Sequence, residues 1–252
     1  MKQLHDILNT FDPVSLEEMD RVKLMNRVDT KFVFPLSRLA GILDQLRDEY
    51  QVLEVNHHRV SRYESLYFDT PEFDLYHNHH RGKMNRFKIR FRKYVESELN
   101  FFEVKFKNNK GRTIKDRVKQ PQINDKITDH AQVLLKEKTS LPAEELEAKI
   151  WVNYSRITLV SKHSTERVTI DLDLQFRNDE DTRELHNLVI AEVKQEKYSI
   201  SSPFIRAMKK YKIREGSVSK YCFGVIALFQ GIKHNNFKLK VSQLNKLAHA
   251  TR

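Results

Sequence analysis

The stretch FKIRFRKY (residues 87–94) and its return FEVKFK (residues 102–107) decide our interpretation of the fold. Apolar and charged residues alternate strictly in both, which is the period of a β-strand with two unlike faces. The short polar link between them, residues 95–100, predicts an antiparallel hairpin. One face of this hairpin carries aromatic and aliphatic residues, and the other carries five cations around the carboxylate of Glu103.

Cations that lie side by side repel one another unless an anion lies among them. A single hairpin of this kind is equally typical of a solvated basic face above an ordinary core. The same pattern recurs in residues 27–31, 167–171 and 192–194, where charged side chains again share one face of an alternating segment. The recurrence favours a shared function for these charged faces.

The composition favours a polyanion as the partner. The 252 residues include 45 Lys and Arg against 34 Asp and Glu, which gives a formal net charge of +11 and a pI of about 9.5. This excess suits nucleic acid, polyphosphate, nucleotides or anionic lipid, and does not choose among them. The sequence contains no glycine-rich phosphate loop, dinucleotide fingerprint or zinc pattern, so any phosphate would have to be bound by side chains.

Cysteine usage and the absence of long apolar runs predict the compartment. The single Cys222 excludes an internal disulfide framework and a cysteine metal cluster, which favours a reducing environment. The first residues lack the apolar run of a signal peptide, and no stretch approaches the ~20 apolar residues that span a bilayer. We therefore expect a soluble, cytoplasmic protein. The five histidines within residues 57–80 have no acidic partner at a fixed spacing, which argues against a histidine metal site.

Helical and strand patterns alternate along the chain without a linker. Capping residues and apolar spacing predict helices at residues 15–25, 39–50, 129–149, 203–211 and 217–230. Alternation predicts strands at residues 27–34, 59–70, 87–94, 102–107, 152–160, 166–174 and 188–194, whereas residues 111–117 form a strand or a loop. We expect one α+β domain over residues 1–232, followed by a basic tail at residues 233–252 whose apolar residues have helical spacing.

The two unlike faces of the strands predict how the sheet is arranged. The helices between the strands are amphipathic and must cover the apolar strand faces. A closed barrel satisfies this requirement, because it turns the apolar faces outward under the helices and the charged faces inward. An inner wall of cations with only a few carboxylates requires an anionic ligand and a divalent metal.

Seven short motifs stand out along the chain, namely Arg27-x-Asp-x-Lys31, Tyr67-Phe-Asp-Thr70, Lys88-x-Arg-x-Arg92, Glu103-x-Lys105, Tyr154-x-Arg156, Glu192-x-Lys194 and Ser219-Lys-Tyr221. They occur in the order found in the vacuolar transporter chaperone (VTC) family of polyphosphate polymerases, which the sequence resembles from about Leu16 to Leu228. The resemblance implies the closed, eight-stranded antiparallel barrel of the triphosphate tunnel metalloenzymes, with helices around it. It also implies transfer of the terminal phosphate of ATP onto a polyphosphate chain, with Mn²⁺ or Mg²⁺ as cofactor.

One departure from the wider superfamily bears on the activity. That superfamily, which includes adenylate cyclases and thiamine triphosphatases, begins with Glu-x-Glu-x-Lys. This chain has Arg27-x-Asp-x-Lys31 instead, so a cation replaces one acid of the pair. The replacement is similar to the polymerase branch and argues against cyclase chemistry.

The resemblance assigns roles to the charged residues. The catalytic candidates are Lys31, Arg90, Arg92, Lys105, Arg156, Arg167 and Lys220, and the substrate-binding candidates are Arg27, Lys88, Lys107 and Lys194. Glu192 is the first candidate for the metal, followed by Asp171 and Glu103. Arginine suits phosphate because its planar fork donates to two oxygens at once. The expected partners are ATP, triphosphate and polyphosphate.

Several alternatives stay open at this point. A triphosphatase needs the same cationic tunnel but uses water as acceptor, and a polyphosphate- or inositol-phosphate-binding module needs it without turnover. Nucleic acid is disfavoured, because the hairpin phenylalanines lie on the face opposite the cations and cannot stack bases beside them. The basic tail either docks on the barrel or contacts polyphosphate, a membrane protein or an anionic membrane surface.

Overall fold

The computed structural model describes residues 2–21 and 27–248. The helices are α1 (Lys2–Leu8), α2 (Leu16–Arg21), α3 (Leu39–Asp44), α4 (Asp74–His80), α5 (Asp129–Lys138), α6 (Pro203–Lys210), α7 (Lys220–Leu228) and α8 (Lys238–Ala248). The strands are β1 (Pro13–Val14), β2 (Val28–Pro35), β3 (Tyr50–Leu53), β4 (Ser61–Asp69), β5 (Arg86–Tyr94), β6 (Leu99–Lys107), β7 (Thr113–Gln120), β8 (Glu147–Ser161), β9 (Arg167–Arg177), β10 (Thr182–Leu185) and β11 (Leu188–Gln195). Short 3₁₀ helices cover Leu36–Arg38, Ala143–Glu145 and Asn235–Phe237.

The eleven strands that the structure describes belong to one sheet, whose main path is antiparallel and has the order β2-β11-β9-β8-β4-β5-β6-β7. Strand β3 pairs with β8, β10 pairs with β9, and the short β1 pairs in parallel with β3. The sheet curls so that the adjacent residues Ser219 and Lys220 reach two strands that stand three places apart. The Ser219 Oγ lies 2.9 Å from the Lys88 Nζ on β5, and the Lys220 ammonium binds Asp171 on β9. The α+β class and the large antiparallel sheet predicted from the sequence are therefore confirmed, with eight strands along its main path.

The predicted complete closure of the barrel is wrong for the residues that the structure describes, because β2 and β7 do not pair. The free edge of β2 is occupied by the segment that precedes α7. The Gly216 N–H donates to the Lys31 carbonyl at 2.8 Å, and Phe32 forms a bridge with Glu215. This segment satisfies backbone groups that closure would otherwise have paired with β7.

The convex face of the sheet is apolar and lies under helices, as the alternation predicted. Helices α1, α3 and α6 pack on β2, β8, β9 and β11, where Phe32, Ile170 and Val193 are at most 2% exposed. Helix α5 packs on β4, β5 and β6 through Ala131 and Leu135. Burial of these strand faces turns the alternate, charged residues toward the concave side.

The concave face is charged along only part of its length. At the end where β8 begins, it is apolar and forms one cluster with α7, in which Ile150 and Phe176 contact the helix. A Cβ built on Gly224 would come within 2.6 Å of Phe176 Cδ1 and 2.7 Å of Ile150 Cδ1. The α7 backbone thus rests directly on the concave face, which a uniformly charged wall would not allow.

Two predicted helices end earlier in the structure. The helix expected at residues 39–50 ends at Asp44, because Tyr50 begins β3 and pairs with Ser161 of β8. The helix expected at residues 129–149 ends at Lys138, and Glu147 begins β8 opposite Asp69. Proline has no N–H to donate, so Pro142 suits the break between helix and strand. Strands β1, β3 and β10 were not predicted.

The N-terminal helix and the basic tail can also be compared with their predictions. The predicted capping box is present: the Ser15 N–H donates to Glu18 Oε2 at 2.9 Å, and the Glu18 N–H donates to Ser15 Oγ at 3.2 Å. Residues 22–25 of the helix expected at 15–25 lie outside the described residues. The tail forms α8, which docks through buried Leu244 and partly buried Val241 and Leu247. In residues 2–21 and 27–248, no helix is long and apolar enough to cross a membrane.

Candidate functional site

Three lysines face one another across β5, β6 and β7. Lys105 pairs in register with Lys88 on one side and with Lys115 on the other. Like charges directly opposite one another destabilise a sheet. The repulsion is reflected in Lys105, where the nearby Arg90 guanidinium and burial hold the pKa of the ammonium well below its usual value.

Glu103 neutralises part of this row. Its Oε2 accepts from Arg90 Nε at 2.8 Å and from Arg90 Nη2 at 2.5 Å, and its Oε1 lies 2.5 Å from the Lys115 Nζ. The Glu103 side chain is 0% exposed, and although burial alone would raise its pKa, Arg90, Arg92 and Lys115 together hold the pKa well below its usual range. Arg90 also donates to the Tyr67 hydroxyl at 2.7 Å. Both oxygens of Glu103 are therefore held by cations.

Asp171 is a second carboxylate enclosed by cations. Arg156 binds it in bidentate fashion, with Nε to Oδ1 at 2.6 Å and Nη2 to Oδ2 at 2.9 Å, and Lys220 of α7 binds Oδ2. Burial opposes ionisation, yet Arg156 and Lys220 keep the pKa of Asp171 below its usual value. Arg156 and Lys220, both predicted catalytic residues, thus meet at one predicted metal ligand.

Glu192 lies in a looser arrangement. Its Oε1 is 3.4 Å from the Lys194 Nζ and its Oε2 is 3.8 Å from the Lys31 Nζ. Asp29 lies beside Glu192. Burial and then the negative charge of Glu192 raise the pKa of the Asp29 carboxyl. Arg27 holds Asp29 at 3.0 Å from its Nε. Asp29 and Glu192 thus form a pair of neighbouring carboxylates. Glu103 and Asp171, in contrast, are each a single carboxylate enclosed by two cations.

Among the inward cations, Arg92, Lys88 and Lys105 have no carboxylate partner within the part of the chain that the structure describes. Arg92 donates to the Ser65 Oγ at 3.0 Å and lies over the rings of Tyr63 and Tyr154. Lys88 donates to the Ser219 Oγ at 2.9 Å, and burial lowers the pKa of its ammonium. Lys105 is the third. Their charges are left for a ligand to neutralise.

Two predicted residues lie at the ends of the wall. The Arg167 guanidinium donates to the carbonyl of Met19, close to α2. Lys107 pairs in register with Arg86 near the end that α7 covers. Asp69, the acidic residue of the motif Tyr67–Thr70, has a structural role. Its carboxylate accepts hydrogen bonds from the N–H groups of Leu75 and Tyr76, each at 2.8 Å, and so caps α4.

The sequence interpretation missed Lys115 and Asp29 as members of the site. The alternation Lys115-x-Arg117-x-Lys119 was the available signal for the first, and it places all three on the side of Glu103. Asp29 stood in the first motif but was not assigned to metal. Residues 2–21 and 27–248 hold no group of three or more His, Cys, Asp or Glu that could bind a metal by itself.

The comparisons with known proteins agree with this geometry. The VTC domain family matches residues 26–229. Among solved structures, a candidate adenylyl cyclase from Hippeastrum, described as having a dominant triphosphatase activity, superposes with a TM-score of 0.55 and 14% identity, over 84% of this chain and 100% of its own. A candidate adenylate cyclase from Bacillus halodurans superposes with a TM-score of 0.53 and 12% identity, over 81% of this chain and 98% of its own. No curated protein matches the sequence.

Proposed function

The chain belongs to the VTC domain family, and from that premise we propose that it is a metal-dependent polyphosphate polymerase. It would bind the triphosphate of ATP on the concave wall and transfer the γ-phosphoryl group to the end of a polyphosphate chain. The observation that carries the proposal is the group of inward cations, Lys88, Arg92 and Lys105, that lack a carboxylate partner among the described residues. A phosphoryl-transfer enzyme is the coarser class that family and fold support together.

The wall suits a polyanion better than a single small anion. Lys88 and Lys105 are directly opposed, and Arg92 lies four residues along β5 from Lys88 on the same face. Arg90 and Arg156 are bound to Glu103 and Asp171, so they add to the positive field of the wall while their carboxylate partners already occupy them. A row of phosphates can contact several of these groups at once, and each contact relieves like-charge repulsion.

Glu192 and Asp29 are the residues that would hold the divalent metal. Two adjacent carboxylates, one with a raised pKa, suit a hard cation such as Mn²⁺ or Mg²⁺. The oxygens of Glu103 and Asp171 are already bound by cations, so we rank these two residues below the Glu192 pair. When bound, the ion would neutralise phosphate oxygens and help to align the transferring group.

Phosphoryl transfer asks mainly for position and charge stabilisation from the protein. In the proposed reaction, a terminal oxygen of polyphosphate forms a bond to the γ-phosphorus, and the bond between that phosphorus and the β–γ bridging oxygen breaks. ADP leaves with that oxygen. Lys31, Arg92 and Lys105 would stabilise the charge that develops on the oxygens, and Lys88 and Lys194 would hold the flanking phosphates.

A triphosphatase is the second candidate, because the Hippeastrum protein of similar fold is described as having that dominant activity. The chemistry is the same except that water replaces the phosphate chain as acceptor. Whether the protein acts as a polymerase or as a triphosphatase therefore depends on whether the wall can hold an acceptor polyphosphate chain beside the γ-phosphate.

Incubation with ATP and Mn²⁺, followed by separation of the products, tests the proposal. Long phosphate chains with ADP are expected. Free phosphate without chains would select the triphosphatase, and cyclic nucleotide would contradict both. The variant Glu192→Gln is expected to lose turnover at ordinary Mn²⁺ concentrations while still binding triphosphate without metal. Near-normal turnover of that variant would remove Glu192 as the principal ligand.

A further inference from the structure

A second group of cations lies at the end of the wall that α7 covers. Its members are Arg86 at the start of β5, Lys107 at the end of β6 and Lys240 on α8, and we refer to them as the α8-end cluster. Only Lys107 was predicted to bind substrate. Lys240 lies outside residues 26–229, the part that matches the VTC domain.

The cluster continues the charged wall. Arg86 and Lys107 are directly opposed in the β5–β6 ladder, two residues from the opposed pair of Lys88 and Lys105. The Lys240 Nζ lies 2.5 Å from the Ser217 Oγ, and the Lys88 Nζ lies 2.9 Å from the Ser219 Oγ. Both lysines therefore hold hydroxyls of the same three-residue segment before α7.

His79 of α4 lies where these cations converge. Burial and then the charges of Lys88, Arg86, Lys107 and Lys240 lower its pKa to about 2, so the imidazole is neutral. Its buried Nδ1 has no hydrogen-bond partner among the residues that the structure describes. The His79 imidazole therefore adds no positive charge to the cluster.

No carboxylate forms an ion pair with Arg86, Lys107 or Lys240 in the described ranges. Arg86 donates to the Lys83 carbonyl at 2.7 Å, and Lys240 binds a hydroxyl. Opposed cations without counter-ions cost stability, and an anionic ligand would remove that cost. Phe237, the aromatic ring beside the cluster, packs against His79 and Tyr76, so it is not placed to stack on a nucleobase.

Docking of the tail brings Lys240 to this position. Leu244 is 4% exposed, and Val241 and Leu247 pack in the same cluster. The Asn187 side chain also donates to the Ala248 carbonyl at 3.3 Å. A docked helix and an anion-binding tail are therefore compatible, because the packed face of α8 fixes the direction of its lysine.

We propose that the α8-end cluster is a subsite for the polyphosphate chain, in which Lys240 of α8 binds phosphates beyond those held by the central wall. The inference rests on the proposed function. Polyphosphate carries a charge on every unit, so a chain that leaves the wall past Lys88 meets Arg86, Lys107 and Lys240 next. A triphosphate bound between Arg92 and Lys88 is expected to leave this subsite empty, because these two residues are already four positions apart along β5.

Calorimetric titration of the full chain with inorganic triphosphate and with a long polyphosphate of defined length tests the subsite. Lys240→Ala is expected to weaken binding of the long chain on the order of five- to tenfold and to leave triphosphate affinity within about twofold. Lys246→Ala removes the same charge from the same helix, outside the cluster, and is expected to match the unchanged protein. Lys240→Arg retains the charge and is expected to restore long-chain affinity.

The outcomes separate this inference from the proposed function. If Lys240→Ala binds both lengths as the unchanged protein does, the subsite is overturned while the wall stands. The subsite is also overturned if Lys240→Ala and Lys246→Ala lose the same affinity for long polyphosphate. The same holds if Lys240→Ala loses as much affinity for a single-stranded DNA of similar charge as for polyphosphate, because either result would indicate a general charge effect. If the unchanged protein binds neither triphosphate nor the long chain, the proposed function itself fails.

Discussion

At the scale of single residues, neighbouring cations of the wall differ in what they do. Arg90 is bound to Glu103 and Tyr67, so it is part of the internal structure. Arg92, two residues away on the same face, contacts the Ser65 hydroxyl and two tyrosine rings and forms no ion pair with a carboxylate in the described ranges. The first is needed to keep Glu103 buried, and the second is available to a phosphate.

The first prediction concerns Glu103. Glu103→Gln leaves Arg90 and Lys115 without their shared anion, and breaking a buried pair in this way costs about 3–5 kcal/mol. We expect a lower unfolding midpoint in urea, with part of the loss restored by saturating triphosphate. Asp44→Asn, which breaks the exposed pair with Arg47, is the control and should change stability by less than about 1 kcal/mol. Equal small effects of both substitutions would contradict the central role of Glu103.

The second prediction is a proton uptake at Lys88. Burial lowers the pKa of this ammonium in the free protein, and a bound phosphate raises it again because the anion favours the charged form. Triphosphate binding should therefore take up protons, and affinity should fall as the pH rises through the lowered pKa. Since the unfolded chain binds more protons in the window between the lowered pKa and the usual one, this group makes the ligand-free protein more stable as the pH rises there.

Calorimetry in buffers of different ionisation enthalpy, at a series of pH values below the ordinary lysine pKa of about 10.4, measures that uptake. Lys88→Met should reduce it, whereas Lys246→Met, on the exposed side of α8, should not. Proton release on binding by the unchanged protein would show that the anion does not reach Lys88.

At the scale of secondary-structure elements, α7 sets the length of the usable wall. It covers the apolar end of the concave face and also contributes Lys220 and the Ser219 hydroxyl to the charged end. The position of Lys220 therefore depends on how closely the helix can approach Ile150 and Phe176. That approach depends on a glycine.

The third prediction follows from this contact. Gly224→Ala introduces a Cβ 2.6 Å from Phe176, and overpacking of this kind costs about 1–3 kcal/mol. We expect a lower Tm together with weaker triphosphate binding, because a displaced α7 moves Lys220 away from Asp171. Gly216→Ala is the matched control, since no atom lies within 4 Å of its Cβ position. A Gly224→Ala protein with unchanged Tm and affinity would mean that α7 can shift without affecting the wall.

At the scale of the whole molecule, the curled sheet gathers charge that a flat sheet would spread out. The formal net charge is +11, and part of this excess faces inward at Lys88, Arg92 and Lys105. Repulsion inside the curl opposes folding until a ligand neutralises it. Stability of the ligand-free protein should thus depend on the anion present.

The fourth prediction is a stabilisation that depends on phosphate number. A ligand at about a hundred times its Kd stabilises the folded state by about 2.7 kcal/mol, so triphosphate should raise the Tm clearly. Monophosphate at the same ionic strength should do so much less, because it contacts fewer cations. Arg92→Gln should reduce the difference between the two anions. Equal shifts for both anions would indicate screening rather than a site.

The amino-acid sequence by itself determined most of the long strands, their two faces and the shared face of several wall residues. The β-strand period is local, so the alternation at residues 87–94 and 102–107 is sufficient to place Lys88, Arg90, Arg92 and Lys105 on one face. The ordered motifs also sufficed to indicate the family, and residues 26–229 match it. The division at residue 232 stays a prediction.

Only the tertiary structure decided which of these charges are free. Lys115 reaches Glu103 from the neighbouring strand, and Lys220 reaches Asp171 from a helix 49 positions away. It also decided that residues 215–216 occupy the free edge of β2 and that α8 brings Lys240 to the end of the wall. The physical reason is that alternation specifies the face of a residue, whereas ion pairing depends on which distant segments pack against that face.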